Sequence, residues 1–425
     1  LASSFLGYDT LETESKILSL VLGDQEVDSI EKGAEAIVIL DQTHFYAESG
    51  GQVGDVGHIT TGAAHFRVEN TFKYGQDLIV HRGRLEEGSL AAGDTVNAVV
   101  GQGHRMTVAG NHTATHLLHA ALREILGDHV KQAGSRVAAD RLRFDFSHFT
   151  RVSAENLLEV EGWVNDRIRE NLPLCTQIMN KEDAMKTGAM AIFEEKYGDE
   201  VRIIDIGDGL SLELCGGTHA RRTGDIGVFR IISEGAVAAN VRRIEALTGE
   251  AALRHDQKRD ERLKNAAGLL KVSPDKLLHR LKRLLDDTRE KEREIESLKG
   301  RLFTEKSADL LQDVREIQGI SVVSKKLEAD TPKELREAVD RIKDKLGSGI
   351  VLLGAKTGGK AMLICAVTKD LTDQFNAGKI IRELSGIVGG KGGGRPDMAQ
   401  GGGDNPEKLE EALDSIYNLV VEETV

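Results

Sequence analysis

Between residues 36 and 100, short apolar runs alternate with polar, glycine-containing stretches. A-I-V-I-L at 36–40, A-H-F-R-V-E at 64–69, D-L-I-V-H at 77–81 and T-V-N-A-V-V at 95–100 each predict a strand. Their spacing predicts a small antiparallel barrel or sandwich. Beyond residue 101 the period changes. Leu117, Leu118, Ala121, Leu122 and Ile125 fit one face of a helix over 112–126, and a second helix is expected near 153–170. Strands at 141–146, 201–206, 210–214, 227–232 and 241–246 complete an α+β unit.

From 251 the chain turns to charged residues and leucines. Two seven-residue series interleave there: Leu277, Leu284, Lys291 and Leu298, and Leu281, Thr288, Ile295 and Leu302. Six of these eight positions are apolar, which predicts an amphipathic hairpin or a short coiled coil. A helical linker packed on its own domain accounts for the pattern equally well. Residues 319–425 return to mixed structure, with strands near 320–324, 350–354 and 361–367 and helices near 332–346, 376–387 and 406–421. The expected architecture is α+β and multidomain. It has a barrel-like part (1–104), an α+β core (105–250), a helical, coiled-coil-like segment (251–315) and a C-terminal α/β globular domain (316–425).

The composition narrows the setting. The chain has 425 residues, of which 29% are charged and 40% apolar, as in soluble globular proteins. No apolar run approaches a membrane span, and no basic-then-apolar leader is present. Cys175, Cys215 and Cys365 are too scattered for a disulfide framework, so a reducing, cytoplasmic setting is expected. A first residue of Leu1 reads as a processed chain or a piece of a longer one. The net charge of −13 is unevenly spread: residues 1–100 hold 6 basic against 16 acidic side chains, residues 251–346 hold 24 against 20. A polyanion would therefore meet the second half of the chain before the first hundred residues.

Two pairs of potential ligands stand out. N-H-T-A-T-H (111–116) places His112 and His116 four apart on a predicted helix, and C-G-G-T-H (215–219) places Cys215 and His219 four apart around two glycines. Residues four apart on a helix face the same side, and thiolate with imidazole is a donor set zinc accepts. A protease-type H-E-x-x-H is excluded because Thr113 follows His112. The H-x-E and P-C-x-x-C patterns of nucleoside deaminases are missing. His119, one turn beyond His116, is expected to pack rather than to ligate. Cys175 and Cys365, in apolar strand-like contexts, are expected in the core.

Four stretches taken together carry a resemblance: Y-A-E-S-G-G-Q-V-G-D (46–55), N-H-T-A-T-H (111–116), E-L-C-G-G-T-H (213–219) and G-G-K-G-G-G-R-P-D-M-A-Q-G-G-G (389–403). In this order and spacing the chain resembles bacterial alanyl-tRNA synthetases, from their editing domain to their C-terminus. The family's aminoacylation domain, with its ATP binding, has no counterpart here. The resemblance implies hydrolysis of the ester joining serine or glycine to tRNA(Ala), with tRNA(Ala) as partner and a homodimer formed through the helical and C-terminal segments. A tRNA-docking and dimerisation module, or a free-standing trans-editing factor, would carry the same motifs.

The resemblance also assigns residues. His112, His116, Cys215 and His219 match the family's zinc ligands. Thr43 and Gln52, with Cys215, match catalytic and hydroxyl-reading positions. Gly50, Gly51 and Arg243 are expected at the substrate, although a strand-edge salt bridge is the better expectation for Arg242 and Arg243. His44 stands where many relatives carry proline, which bears on the stiffness of that loop. The glycine-rich 389–403 stretch is expected to be a shaped loop, gripping the tRNA elbow through Lys391 and Arg395.

Overall fold

The computed structural model describes residues 2–75, 78–190, 199–308, 313–329 and 331–424. They form two compact units, Leu1–Leu269 and Leu270–Val425.

The first unit opens with a closed barrel of six strands: β1 (Glu12–Leu22), β2 (Glu35–Leu40), β3 (Gly57–Thr60), β4 (His65–Tyr74), β5 (Leu78–Glu87) and β6 (Thr95–Val100). Their order is β6-β3-β4-β5-β2-β1, and β6 pairs back onto β1 from Thr95↔Lys16 to Val99↔Glu12, which closes the ring. Closure removes the sheet edges. Inward residues such as Ile17, Leu20, Val38, Ile59, Phe66, Val68, Leu85 and Val96 fill the interior. A bulge between Val68 and Asn70 shifts the alternation in β4, so that Thr71 turns inward and donates its hydroxyl to the carbonyl of Asp55 at 2.9 Å. All four predicted strands of this region exist. Two barrel strands are missing from the sequence reading: β1, whose alternation lies behind a polar lead, E-T-E-S-K, and β3, which is only four residues long.

Helix α1 (Gln102–Leu126) leaves the barrel. It begins ten residues earlier than its apolar stripe predicts, because its first turns are fixed by polar contacts. Arg105 is buried against Asp55, which it meets through Nε at 3.0–3.1 Å and through Nη2, and its Nη1 donates to the Gly7 carbonyl at 2.6 Å. The amide N–H of Tyr46 completes Asp55 at 2.7 Å. Arg105 Nη2 also donates to the His44 carbonyl at 2.7 Å, and Thr10 Oγ1 lies 2.6 Å from His44 Nε2, so the loop is held at this position without a proline.

Four strands, β7 (Gln132–Val137), β8 (Leu142–Ser147), β12 (Phe229–Ala238) and β13 (Val241–Thr248), form an antiparallel sheet in the order β7-β8-β13-β12. α1 and α2 (Ala154–Arg169) share its core, through Leu117, Leu118, Leu122, Phe144, Phe146, Val160, Val164 and Ile244. A separate three-stranded sheet, β9 (Leu174–Asn180), β10 (Glu200–Ile206) and β11 (Ser211–Leu214), delivers the chain to Cys215. β9 is an edge strand with most of its residues outward, and Cys175 on it is exposed rather than in the core as expected. Helix α3 (Gly249–Leu269) ends the unit.

In the second unit the helical segment supplies one uninterrupted helix, α4 (Leu277–Ala308). Leu281, Ile295 and Leu298 on it are exposed, Leu277 is buried, and the side chain of Leu302 lies outside the described residues. β14 (Arg315–Ile317), β15 (Ile320–Lys326), α5 (Pro332–Leu346), β16 (Ile350–Thr357), β17 (Lys360–Val367), α6 (Ala377–Ile387), β18 (Gly390–Gly394), β19 (Met398–Gly403) and α7 (Leu409–Glu422) follow. The sheet order is β14-β15-β16-β17-β19-β18, parallel only at β15–β16, where α5 makes the crossover. α5 covers one face through Leu335, Val339 and Ile342, and α6 and α7 cover the other through Ile381, Leu384, Leu413 and Ile416. Cys365 lies fully within this core, where burial pushes its thiol up to about 12.

The 389–403 stretch is a β-hairpin rather than a loop. The reason is packing. A Cβ on Gly401 would lie 2.1 Å from Ser385 Oγ and 2.8 Å from Ile381 Cγ2, both on α6. Helix and hairpin approach closely only because these strands carry hydrogen in place of side chains.

Among the described residues no helix is long and apolar enough to cross a membrane.

Candidate metal centre

Two elements that meet on the barrel's flank bring the ligand pairs together. On α1, His112 and His116 stack with ring centroids 5.2 Å apart, as the i,i+4 spacing predicts. After β11 the chain turns through Cys215, Gly216 and Gly217 to His219. The donor atoms of His112, His116, Cys215 and His219 all lie within 4.8 Å of one another. Cys215 Sγ is 3.4 Å from His112 Nε2 and 3.3 Å from His219 Nε2. A tetrahedral zinc with ordinary bond lengths separates sulfur and nitrogen ligands by about 3.5 Å, so the spacing fits that ion.

The opposite nitrogen of each imidazole is tied to a buried partner. His112 Nδ1 lies 2.8 Å from Gln52 Oε1, His116 Nδ1 2.5 Å from Glu213 Oε2, and His219 Nδ1 3.2 Å from Thr113 Oγ1. A partner at Nδ1 turns Nε2 toward a shared centre, which is how outer groups orient metal-ligating histidines. His116 Nε2 is buried with no hydrogen-bond partner; burial opposes charge on the ring, but Glu213 outweighs it and raises His116 to about 10, so a cation binding there displaces a proton. The residues therefore fit a zinc ion of the Cys1His3 type.

Electrostatics reinforce the arrangement. Burial pushes the Cys215 thiol up, but the imidazoles of His112 and His219 outweigh it and bring the thiol well below its usual range. Burial and His112 lower His219 to about 3, leaving it neutral and ready to ligate. Glu213 sits between two imidazoles, with Oε1 2.9 Å from His119 Nδ1. Burial opposes its charge, yet His116 overcomes this and holds the carboxyl at about 2.

The loop carrying Cys215 is pinned through its backbone. Arg202 donates to the carbonyls of Cys215 at 3.1 Å and Gly217 at 2.8 Å, and its guanidinium lies 4.2 Å over the Tyr8 ring. The Tyr8 hydroxyl donates to the Gly216 carbonyl at 2.9 Å. Gly217 is a close approach: a Cβ there would sit 2.1 Å from His112 Cε1.

A cavity of about 400 Å³ opens beside the cluster, lined by Tyr46, Ser49, Gly50, Gly51, His112, Thr115, His116, Gln132, Gly134, Ser135 and the Glu213–Gly217 segment. Gly50 and Gly51 form the tip of a Ser49–Gln52 turn. Gln52 and Thr43 are fully buried and neither lines the cavity; Gln52 stands behind its wall at His112. Gln52 Oε1 also accepts the Thr218 N–H at 2.9 Å, and its Nε2 donates to Thr218 Oγ1 at 2.8 Å, so Gln52 joins the barrel turn to both ligand segments.

Thr43 Oγ1 lies 2.9 Å from His81 Nε2 and accepts the Phe45 N–H at 3.1 Å. Arg243 meets Asp145 at 2.7–2.8 Å, one strand across from Gly134, as an ion pair on the sheet. Arg242 pairs with Glu234. In the second unit, Lys391 is exposed on β18, and Arg395 is 73% exposed at the hairpin turn beside Asp397. Sequence reasoning missed Glu213, Thr113, Arg202 and Asp55–Arg105. Glu213 lies on the predicted strand 210–214 two residues before Cys215, but nothing local marked its carboxylate as a partner of the helical histidines.

Comparison with known proteins follows this geometry. Residues 1–103 match the family model for class II (A) tRNA synthetases, and residues 201–245 match that for the second additional domain of threonyl and alanyl tRNA synthetases. Residues 319–422 match the DHHA1 domain. The chain is 48% identical to the alanine–tRNA ligase of Desulfosudis oleivorans over 419 residues, covering 98% of this chain and 48% of that one. It is 50% identical to that of Halorhodospira halophila over 414 residues, covering 97% and 48%. A solved structure, the C-Ala domain of Aquifex aeolicus alanyl-tRNA synthetase, aligns to 25% of this chain and 97% of its own, with 29% identity and a TM-score of 0.24. The chain thus spans about half the length of the curated relatives it matches.

Proposed function

The chain belongs to the alanyl-tRNA synthetase family, and from that premise we propose that it is an aminoacyl-tRNA deacylase, hydrolysing Ser-tRNA(Ala) and Gly-tRNA(Ala) in the cytoplasm. The observation that carries this reading is the convergence of His112, His116, Cys215 and His219, of which His112, His116 and Cys215 line a 400 Å³ cavity. The cavity is of a size for an aminoacyl ester and its ribose.

The need for such a site is physical. A site built for alanine cannot sterically exclude glycine, and it rejects serine, larger by one hydroxyl, only about a hundredfold. A second site with polar walls then removes the error by cleaving the bond between the acyl carbon and the ribose oxygen, with water supplying the new carboxyl oxygen.

His112, His116, Cys215 and His219 would hold zinc, which supplies Lewis acidity and fixes the loop when bound. The chain's own groups do the rest. Gln52 holds the His112 ring and Thr218 together. Glu213 holds the His116 ring. Thr43 braces the barrel wall through His81, and Arg243 braces the strand beside Gly134 through Asp145. Gly50 and Gly51 shape the rim. Four protein donors make a closed set, so the proposal gives zinc a positioning role first.

In the second half of the chain, 251–315 is assigned to homodimerisation through the exposed leucines of α4. Residues 316–425 are assigned to the tRNA elbow through Lys391 and Arg395.

The test is deacylation by the purified chain. Ser-tRNA(Ala) and Gly-tRNA(Ala) are expected to lose their amino acid while Ala-tRNA(Ala) persists. Equal persistence of all three esters, with tRNA still bound, would overturn the deacylase reading in favour of a docking module.

A further inference from the structure

An aromatic stack lies on the first unit's four-stranded sheet, outside the ligand cluster. His129, in the turn after α1, lies beside two rings: His148 edge to edge at 5.1 Å and 24°, and Phe149 offset-stacked at 5.4 Å and 20°. His129 Nε2 and His148 Nδ1 are 2.9 Å apart. That contact needs a proton on one nitrogen and a lone pair on the other, so at least one ring is neutral. Burial, His129 and Arg242 hold His148 below its usual range. Phe149 is 73% exposed. A single exposed apolar side chain is ordinary; an exposed ring stacked on a hydrogen-bonded histidine pair is a built surface.

Register fixes its place. Gln132 pairs with Phe146 and lines the cavity. His129 lies three residues before Gln132, and His148 lies two after Phe146, with their rings 6.3 Å apart. The stack is therefore on the order of 10 Å along the strands from the cavity wall. Lys131 is exposed beside it, and the Arg151 side chain is 86% exposed, with its Nε 4.0 Å from the Glu234 carboxylate.

We propose that His129, His148 and Phe149 form a stacking platform for an unpaired base of the RNA strand that carries the ester into the cavity. This rests on the deacylase reading. With the aminoacyl group inside, the nucleotides before it leave over the rim, toward a surface that offers π faces and two cations. Every base has a π face, so the platform grips without reading sequence, and Lys131 and Arg151 meet phosphates.

The experiment uses the whole chain and uncharged tRNA(Ala) carrying 2-aminopurine at the penultimate 3′ nucleotide. The parent and Phe149→Trp are expected to quench its fluorescence, and Phe149→Ala is expected not to. Affinity for a short 3′-strand oligonucleotide should fall roughly 5- to 100-fold in Phe149→Ala, the range of one lost base stack. The loss in kcat/KM should be larger for Ser-tRNA(Ala) than for seryl-adenosine, which has no second base. Equal quenching by the parent and Phe149→Ala would overturn the platform. Quenching by a parent that cleaves neither ester would support the platform while the deacylase reading fell.

Discussion

Gln52 and His112 come from different parts of the fold and meet at 2.8 Å, the barrel turn meeting the long helix. Because Gln52 Oε1 accepts from the Thr218 N–H as well, one amide group sets the tautomer of a ligand and the path of the loop that brings two more. Replacing Gln52 with alanine frees both. Zinc affinity is expected to fall roughly 10- to 100-fold, the usual effect of losing such a partner, as measured by competition with a chromogenic chelator. Affinity equal to the parent's would remove Gln52 from the site.

The ligand set makes a direct prediction. The parent should hold about one zinc per chain, and Cys215→Ala combined with His219→Ala should hold almost none by elemental analysis. Undiminished zinc in that double variant would mean the metal sits elsewhere.

Thr43 and His81 govern barrel stability and its pH dependence. The Val38 carbonyl accepts from His81 Nδ1 at 3.0 Å, so Nε2 is unprotonated and accepts the Thr43 hydroxyl. Thr43→Val leaves that nitrogen buried and unpaired, at a cost of about 1–3 kcal/mol, readable by urea unfolding.

Burial lowers His81 from 6.5 to about 4. Between these values the unfolded chain binds the extra proton, so the contribution is fully present above pH 6.5 and is lost as pH falls to 4. The full loss is about 3 kcal/mol. His81→Gln should flatten this part of the stability–pH curve, and an unchanged curve would assign the acid sensitivity to other groups.

How much of this was legible in sequence depended on where the signal lay. The four-residue cluster was, because His112 and His116 repeat at the helical period and Cys215 and His219 flank two glycines. Four of the six barrel strands were, because they alternate; β1 and β3 were not. Arg105–Asp55 was not, since 50 residues separate the two and nothing local marks either as buried. Cys175 misled because an apolar stretch looks the same on an edge strand as on a central one. The glycine hairpin misled more: glycine usually marks a loop, and only contact with Ser385 and Ile381 turns it into a packed strand.

Helix α4 presents Leu281 and Ile295 to solvent. Leu281→Glu with Ile295→Glu should shift a dimer to monomer in sedimentation velocity. A parent chain that sediments as a monomer at all concentrations would assign these leucines to another role.

Lys391 and Arg395 are exposed on a rigid hairpin and need no rearrangement to reach a phosphate. Alanine at both should weaken full-length tRNA binding and reduce the salt slope by about two, leaving zinc content unchanged. An unchanged slope would move the RNA contact elsewhere.

The separation of Cys215 from His112 by 103 positions has a consequence for synthesis. At cellular elongation rates of about 5–20 residues per second, the helical histidines emerge several seconds before the thiol that completes their set. During that interval the barrel and α1 are already available to fold, while the two imidazoles have neither their thiolate nor Glu213. Until then the pair offers two imidazoles alone, half of a tetrahedral set, and the thiolate that would favour a softer ion comes last.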